Sequence, residues 1–369
     1  MKYSQVYLES FGYELPPTVV STAELESRLR PLYDRLHISQ GQLEALTGIS
    51  ERRWWEDDFS LSEGAARAGK KALETANVSP NDIDVLIYAG VCREDFEPAT
   101  ACRVADSLGV HADATVFDVS NACLGVLNGI IDVANRIELG QARAGLVVSC
   151  ETAREINEAA IEHMLRSGSI DLFKESVATL TGGSGAVGVL VAGPEIARGR
   201  RKLLGGVTKS APQHHRLCRW GMQRVQPILD RLMATDAASM IRYGVQMGLK
   251  HCLHPFASTD AGAVLKYGVE LGMRTWNAFT EKIGWADDQV DKVICHQVGA
   301  GHRDAILKSL GIAPERDFST FPFLGNIGTV SLPLTAAMAE EKQFLKPGDR
   351  VGFLGIGSGL NCMMLGVEW

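Results

Sequence analysis

Apolar residues in this chain gather in short uninterrupted runs, separated by longer stretches with helical spacing. Asp84–Ala89 (DVLIYA), Ala144–Ser149 (AGLVVS), Ala186–Ala192 (AVGVLVA), Lys292–Cys295 (KVIC) and Val351–Gly355 (VGFLG) read as buried strands. Between them, Leu61–Thr75, Thr100–Leu108, Leu124–Leu139 and Gly301–Leu310 read as helices. This alternation predicts an α/β architecture of packed layers. Gly193–Gly206 (GPEIARGRRKLLGG), with its proline, glycines and basic cluster, is the nearest thing to a boundary. The two halves also echo each other. Asp84-Val85-Leu86-Ile87 leads through a helix to Leu108-Gly109, and Asp291-Lys292-Val293-Ile294 leads through another to Leu310-Gly311.

A second repeat is clearer. Ala234–Lys250 (ATDAASMIRYGVQMGLK) and Ser258–Arg274 (STDAGAVLKYGVELGMR) match at an offset of 258 − 234 = 24. Each copy opens on a Thr-Asp suited to capping a helix and continues with a helical apolar pattern. The reading is one duplicated helix, either a neutral surface insertion or, for the first copy, a cap near a tunnel mouth. Two copies are too few for a solenoid.

At roughly 150 residues per domain, 369 residues correspond to two domains or one large duplicated one. Acidic residues outnumber basic ones 44 to 37, a net charge of −7. That balance argues against a nucleic-acid partner and against docking on an anionic membrane. No uncharged apolar run approaches a membrane span, and no apolar signal core follows Lys2, so a cytosolic protein is expected. Eight cysteines are scattered with no C-x-x-C pair, which gives no support to a zinc ribbon or a thioredoxin-type site. Neither a metal nor a separate cofactor is expected.

Four segments could carry chemistry. In Phe117–Asn128 (FDVSNACLGVLN) an extended run meets a small-residue turn, and Cys123 stands just before a helical pattern. A helix N-terminus there favours a thiolate and can hold an oxyanion; the alternative is a buried core thiol. His296 follows the strand in Val293–His302 (VICHQVGAGH), a place where α/β folds put functional groups, although a structural histidine fits equally. Asn326 sits in the glycine turn of Gly325–Pro333 (GNIGTVSLP), and Gly355–Leu360 (GIGSGL) forms a glycine loop after the last predicted strand. Gly357 and Ser358 in that loop could lend a backbone N–H to an oxyanion. Together, a nucleophile, polar activators and oxyanion donors suit acyl transfer through a thioester.

The order Asn-Ala-Cys, Cys-His-Gln, Gly-Asn-Ile-Gly and Gly-Ser-Gly resembles the beta-ketoacyl synthase III branch of the thiolase superfamily, over nearly the whole chain from Thr47 to Asn361. The resemblance implies a duplicated five-layered αβαβα fold, here with an extra helical insertion, and a homodimer. It divides the chain into residues 1–200, carrying the cysteine, and 201–369, carrying the histidine, the asparagine and the duplicated helix 234–274. It further implies a Cys123–His296–Asn326 triad. Within the branch, Pro31–Leu36, Leu217-Cys218-Arg219, Leu354–Cys362 and Phe96-Glu97-Pro98-Ala99-Thr100 are most similar to the OleA-like condensing enzymes. In those enzymes the glutamate of the last motif reaches the partner subunit's active site as a base, which here is Glu97. Arg52, Arg53 and Trp54 stand where the branch places its CoA entrance.

Two departures separate the chain from housekeeping synthases: Gly299 replaces a usual asparagine, and Thr181–Gly185 lacks a usual aspartate. The implied function is non-decarboxylative Claisen condensation of two fatty acyl-CoA molecules to a 2-alkyl-3-ketoacid. Alternatives are decarboxylative condensation with a malonyl-acyl carrier protein and acyl transfer to another nucleophile.

Overall fold

A computed structural model describes residues 1–199, 201–224 and 253–369. The N-terminal half begins with β1 (Tyr7–Glu14) and β2 (Thr18–Ser21), then α1 (Thr22–Arg28), α2 (Arg30–Leu36), α3 (Gln42–Thr47) and β3 (Glu51–Trp54). It continues with α4 (Leu61–Ala76), β4 (Val85–Tyr88), α5 (Thr100–Leu108), β5 (Thr115–Asp118), α6 (Gly125–Glu138) and β6 (Ala144–Glu151). After α7 (Arg154–Ser167) and α8 (Ile170–Ser176), β7 (Gly185–Ala192) completes this half.

The C-terminal half holds β8 (Lys202–Ser210), β9 (Cys218–Arg224), β10 (Leu253–Thr259), α9 (Ala261–Ile283) and β11 (Lys292–Cys295). Then follow α10 (Ala300–Leu310), α11 (Phe321–Leu324), α12 (Ser331–Glu341), β12 (Arg350–Gly357) and β13 (Asn361–Glu368).

Nine strands form one continuous sheet in the order β11-β12-β13-β8-β1-β7-β6-β4-β5. The two halves of the sheet meet where β1 pairs with β8 at Tyr7 and Lys202. The largest core cluster joins α6 (Val126, Leu127, Ile130) and α12 (Leu332, Leu334) to strands of both halves, including Ile87, Val189, Phe353 and Met363. On the outer face of the first half, α4 and α5 pack through Ala68, Ala72 and Val104. On the outer face of the second half, α9 and α10 pack through Leu271, Phe279 and Leu307. The layers therefore run helix, sheet, shared helices, sheet, helix, with both β-faces covered as buried parallel strands require.

The five strands and four helices read from the apolar runs and the stretches between them are all present, with ends shifted by at most two residues. β1, β8 and β13 went unread because glycines, serines and charged residues interrupt their apolar runs. The second copy of the repeat behaves differently from its sequence reading. Ser258 and Thr259 end β10, Asp260 caps α9 by accepting a hydrogen bond from Ala263 N at 2.9 Å, and the helix runs on to Ile283. Its buried face makes it a wall of the molecule rather than a surface insertion. The first copy, Ala234–Lys250, lies outside the described residues. The segment holding it departs from and returns to an antiparallel ribbon of seven residue pairs between β9 and β10.

Candidate active site

Cys123 sits in the turn between β5 and α6, two residues before the helix begins. The preceding Ala122 has φ +46, a left-handed residue that swings the chain sharply from strand to helix. Partners from both halves hold this turn. Asn121 donates from Nδ2 to Asn128 Oδ1 at 2.8 Å and accepts at Oδ1 from Asn361 Nδ2 at 3.1 Å. Val126 N donates to Thr329 Oγ1 at 2.6 Å. Gly125 has no room for a side chain, since a Cβ there would stand 2.3 Å from Ala89 O.

His296 leaves β11 with its backbone N donating to Leu354 O at 2.9 Å. Gln297 staples the segment: its Nε2 donates to Cys295 O at 2.6 Å, and its Oε1 accepts from Thr320 N and Phe321 N at 2.9 and 3.1 Å. Three positions later α10 begins. Gly299 is the residue that fits there, because a Cβ would meet Thr47 O at 2.9 Å.

Asn326 is set by Gly325, whose φ of +68 and close approach to Thr181 O (2.5 Å from a Cβ) exclude other residues. Asn326 N donates to Thr181 O at 2.8 Å, and Asn326 O accepts from Gly183 N at 3.0 Å. The glycine motif Thr181–Gly185 thus backs the asparagine turn through its own backbone, with no aspartate. Asn326 Oδ1 accepts from Gly328 N at 3.0 Å, which leaves the Nδ2 group as the free donor end of the amide.

Cys123, His296, Asn326, Gly357 and Ser358 all line one cavity of about 480 Å³ with mostly apolar walls. The β12–β13 turn closes on the cysteine: a Cβ at Gly357 would stand 3.3 Å from Cys123 N. Backbone of this turn therefore lies close to Cys123 N, the region where an oxyanion needs donors.

The electrostatics correct one expectation. Cys123 opens into the cavity yet lies far from bulk solvent, and burial pushes its thiol up to about 12, reinforced by Cys218 and Glu151. Its own backbone N–H opposes this only weakly. Burial, with His302 nearby, lowers His296 to about 4. At neutral pH the pair is thus a thiol beside a neutral imidazole, not the helix-stabilised thiolate the sequence suggested.

Glu97 does not join the cluster; it is exposed on the loop between β4 and α5 and lines no part of the chain's own cavity. Of the three residues read as a CoA entrance, Arg52 and Trp54 are buried and Arg53 is half-exposed. Arg52 is fully buried on β3, its Nη1 donating to Thr22 Oγ1 at 2.9 Å and its pKa lowered by burial to about 10. Arg53 Nη1 donates to Pro16 O at 3.0 Å, and Trp54 is 4% exposed. β3 pairs with β2, so Arg52 and Trp54 alternate inward, and a phosphate at the surface cannot reach them.

Sequence reasoning missed much of the cavity wall: Leu46, Thr181, Cys218, His302 and a face of α9 made by Ala261, Leu265, Gly268 and Gly272. The signal for α9 was present as small residues at helical spacing in the second repeat copy.

The N-terminal domain model of the thiolases matches residues 45–169, and the C-terminal model of 3-oxoacyl-[acyl-carrier-protein] synthase III matches residues 280–369. The acyl-CoA:acyl-CoA alkyltransferase of Shewanella oneidensis is 52% identical over 100% of both chains. That of Xanthomonas campestris is 35% identical, again over 100% of both. The chain belongs to the acyl-CoA:acyl-CoA alkyltransferase family. A crystal structure of a cysteine-to-alanine variant of Xanthomonas campestris OleA superposes with a TM-score of 0.88 at 34% identity, covering 100% of this chain and 98% of that one. A cysteine-to-serine variant with bound lauric acid and lauroyl-CoA gives a TM-score of 0.87.

Proposed function

We propose that this chain joins two fatty acyl-CoA molecules by non-decarboxylative Claisen condensation, through an acyl group carried on Cys123. The observation that carries this reading is the convergence of Cys123, His296, Asn326 and the Gly357–Ser358 turn on one mostly apolar cavity. The names of the family's members point the same way.

In the first half-reaction Cys123 Sγ attacks the acyl thioester carbon, and neutral His296 accepts the thiol proton. The backbone N–H groups of Cys123 and the Ser358 turn hold the oxyanion. The bond to sulfur of CoA breaks, and CoA leaves with the proton.

A second acyl-CoA then places its carbonyl oxygen against His296 and the Asn326 amide. Its α-carbon loses a proton to Glu97 of a partner subunit, and these hydrogen bonds stabilise the enolate. The α-carbon attacks the acyl-Cys123 carbonyl, the carbon–carbon bond forms and the cysteine sulfur departs. Water then cleaves the remaining thioester to give a 2-alkyl-3-ketoacid and the second CoA. The functional form is a cytoplasmic homodimer, because Glu97 is too far out to serve its own cavity. No cofactor beyond the CoA of the substrates is required.

The test is incubation with myristoyl-CoA alone, following CoA release and products by mass spectrometry. A coupled β-ketoacid, or the ketone from its decarboxylation, is expected, lost in Cys123→Ala and in Glu97→Ala. Acyl-Cys123 that couples only when malonyl-acyl carrier protein is added, or free fatty acid alone, would overturn the proposal.

A further inference from the structure

We propose that Glu151 is a positioning residue: it fixes the root of the loop that carries Glu97 and ties that loop to the turn that carries Asn326. The inference rests on the role given to Glu97 above. Glu151 is the last residue of β6 and is 4% exposed, yet no cation among the described residues offsets its charge. Burial raises its pKa, as expected for a carboxylate taken out of water without an ion-pair partner. A residue this costly calls for a use, and the chemistry at Cys123 does not employ it.

Its hydrogen bonds show where it acts. Val91 N donates to one carboxylate oxygen at 2.8 Å, and Cys92 N donates to the other at 3.0 Å. Both oxygens are therefore spent on successive backbone groups of one turn. Residues around Glu151 grip the same turn: Cys92 Sγ donates to Thr152 O at 3.4 Å, and Tyr88 Oη, at the end of β4, lies 2.6 Å from Cys92 O and 2.8 Å from Cys150 O.

Beyond this clamp further carboxylates hold the loop. Glu94 accepts from Ser60 Oγ at 2.7 Å and from Ser62 N at 3.0 Å. Asp118 accepts from Thr100 N at 3.0 Å and Ala101 N at 2.9 Å. Between these two, Arg103 Nη2 donates to Asp95 Oδ2 at 2.7 Å, and at the tip Phe96 is 93% exposed with Glu97 exposed beside it.

Of these carboxylates, Glu151 also packs beside the turn that carries Asn326. A Cβ at Gly328 would stand 3.6 Å from its carboxyl carbon, and Gly328 N is the group that Asn326 Oδ1 accepts from. Glu151 thus lies between the loop that carries Glu97, the base proposed for the partner's site, and the turn that carries Asn326 in its own. Glutamine has the same shape but only one acceptor oxygen, so it would present an NH₂ to a backbone N–H and break half of the clamp.

A double-mutant cycle tests this, using full-length wild type, Glu151→Gln, Glu97→Ala and the double variant with myristoyl-CoA. Acyl-Cys123 formation and coupled product are measured separately. Glu151→Gln is expected to acylate Cys123 within about twofold of wild type and to couple about tenfold more slowly, in kcat rather than KM. The double variant is expected to be no slower than Glu97→Ala alone, since both changes remove one function. Equal loss of acylation and coupling in Glu151→Gln, or losses that multiply in the double variant, would overturn the proposal. Wild-type coupling by Glu151→Gln alongside an inactive Glu97→Ala would remove this inference and leave the role of Glu97 standing. Normal coupling by Glu97→Ala would remove both. Should Glu151→Gln fail to fold, Glu151→Asp, with two acceptors on a shorter stem, carries the same cycle.

Discussion

Two neutral side chains at the reaction centre define the protein's pH behaviour at the scale of single residues. Because burial holds the Cys123 thiol at about 12, its reaction with iodoacetamide is expected to keep rising through pH 7 to 10 with no plateau. A plateau near pH 7, read by mass spectrometry of the modified peptide, would mean a resting thiolate instead. His296 has the opposite consequence, for stability. Its folded pKa of about 4 lies below the ordinary 6.5, so the unfolded chain takes up a proton that the folded chain refuses. Stability is therefore undiminished above pH 6.5 and falls between 6.5 and 4. At about 1.4 kcal/mol per pKa unit, the shift amounts to roughly 3 kcal/mol. His296→Gln is expected to remove most of that acid sensitivity, read as the difference in urea midpoint between pH 7 and pH 4.5. An unchanged difference would count against the burial account.

Among the elements, Cys123 and His296 follow strand ends and Asn326 follows the short α11, each with a glycine nearby that lets the backbone close. Gly325 shows how little tolerance there is. With φ at +68 and Thr181 O 2.5 Å from a Cβ, Gly325→Ala is expected to cost about 1–3 kcal/mol of stability and to displace Asn326. Coupling should fall further than Cys123 acylation, which needs no Asn326; an equal fall would point to general loss of folding. α9 sets the cavity wall instead. Gly268 and Gly272 face it, and side chains there would meet Ile356 and Ile306 at 3.0 and 2.7 Å. Gly268→Leu is expected to lower the longest acyl chain accepted while octanoyl-CoA still acylates Cys123. A profile of CoA release against chain length checks this.

At the scale of the molecule, each half supplies what the other lacks. The N-terminal half carries the cysteine and the C-terminal half the histidine, asparagine and oxyanion turn, joined across β1–β8 and the α6/α12 layer. The exposed Phe96-Glu97 tip extends the same logic to a second copy, since a large apolar side chain 93% exposed beside a base is suited to insertion into a partner. Mixing the inactive Cys123→Ala and Glu97→Ala proteins after dissociation should restore coupling. Random reassembly puts about half the dimers in the mixed form with one complete site each, or about a quarter of wild-type activity. No recovery in such a mixture, with dimers confirmed by light scattering, would show that Glu97 does not act across subunits.

The strand runs, the main helices and the Asn121-Ala122-Cys123, His296-Gln297 and Gly325-Asn326 motifs were legible because local rules govern them. Short apolar runs make strands, and glycine turns need glycine wherever it stands in the fold. The same rules failed at β1, β8 and β13, whose positions come from pairing partners far along the chain. They failed again at Arg52 and Trp54, which an exposed-looking basic cluster hid as the inward residues of a strand paired with β2. Protonation of Cys123 and His296 was equally out of reach, because the cost of a buried charge depends on the surroundings that folding assembles. The chain's local sequence therefore determined which residues could react, and only tertiary structure decided which of them meet, how dry their meeting place is, and that Glu97 is left outside it.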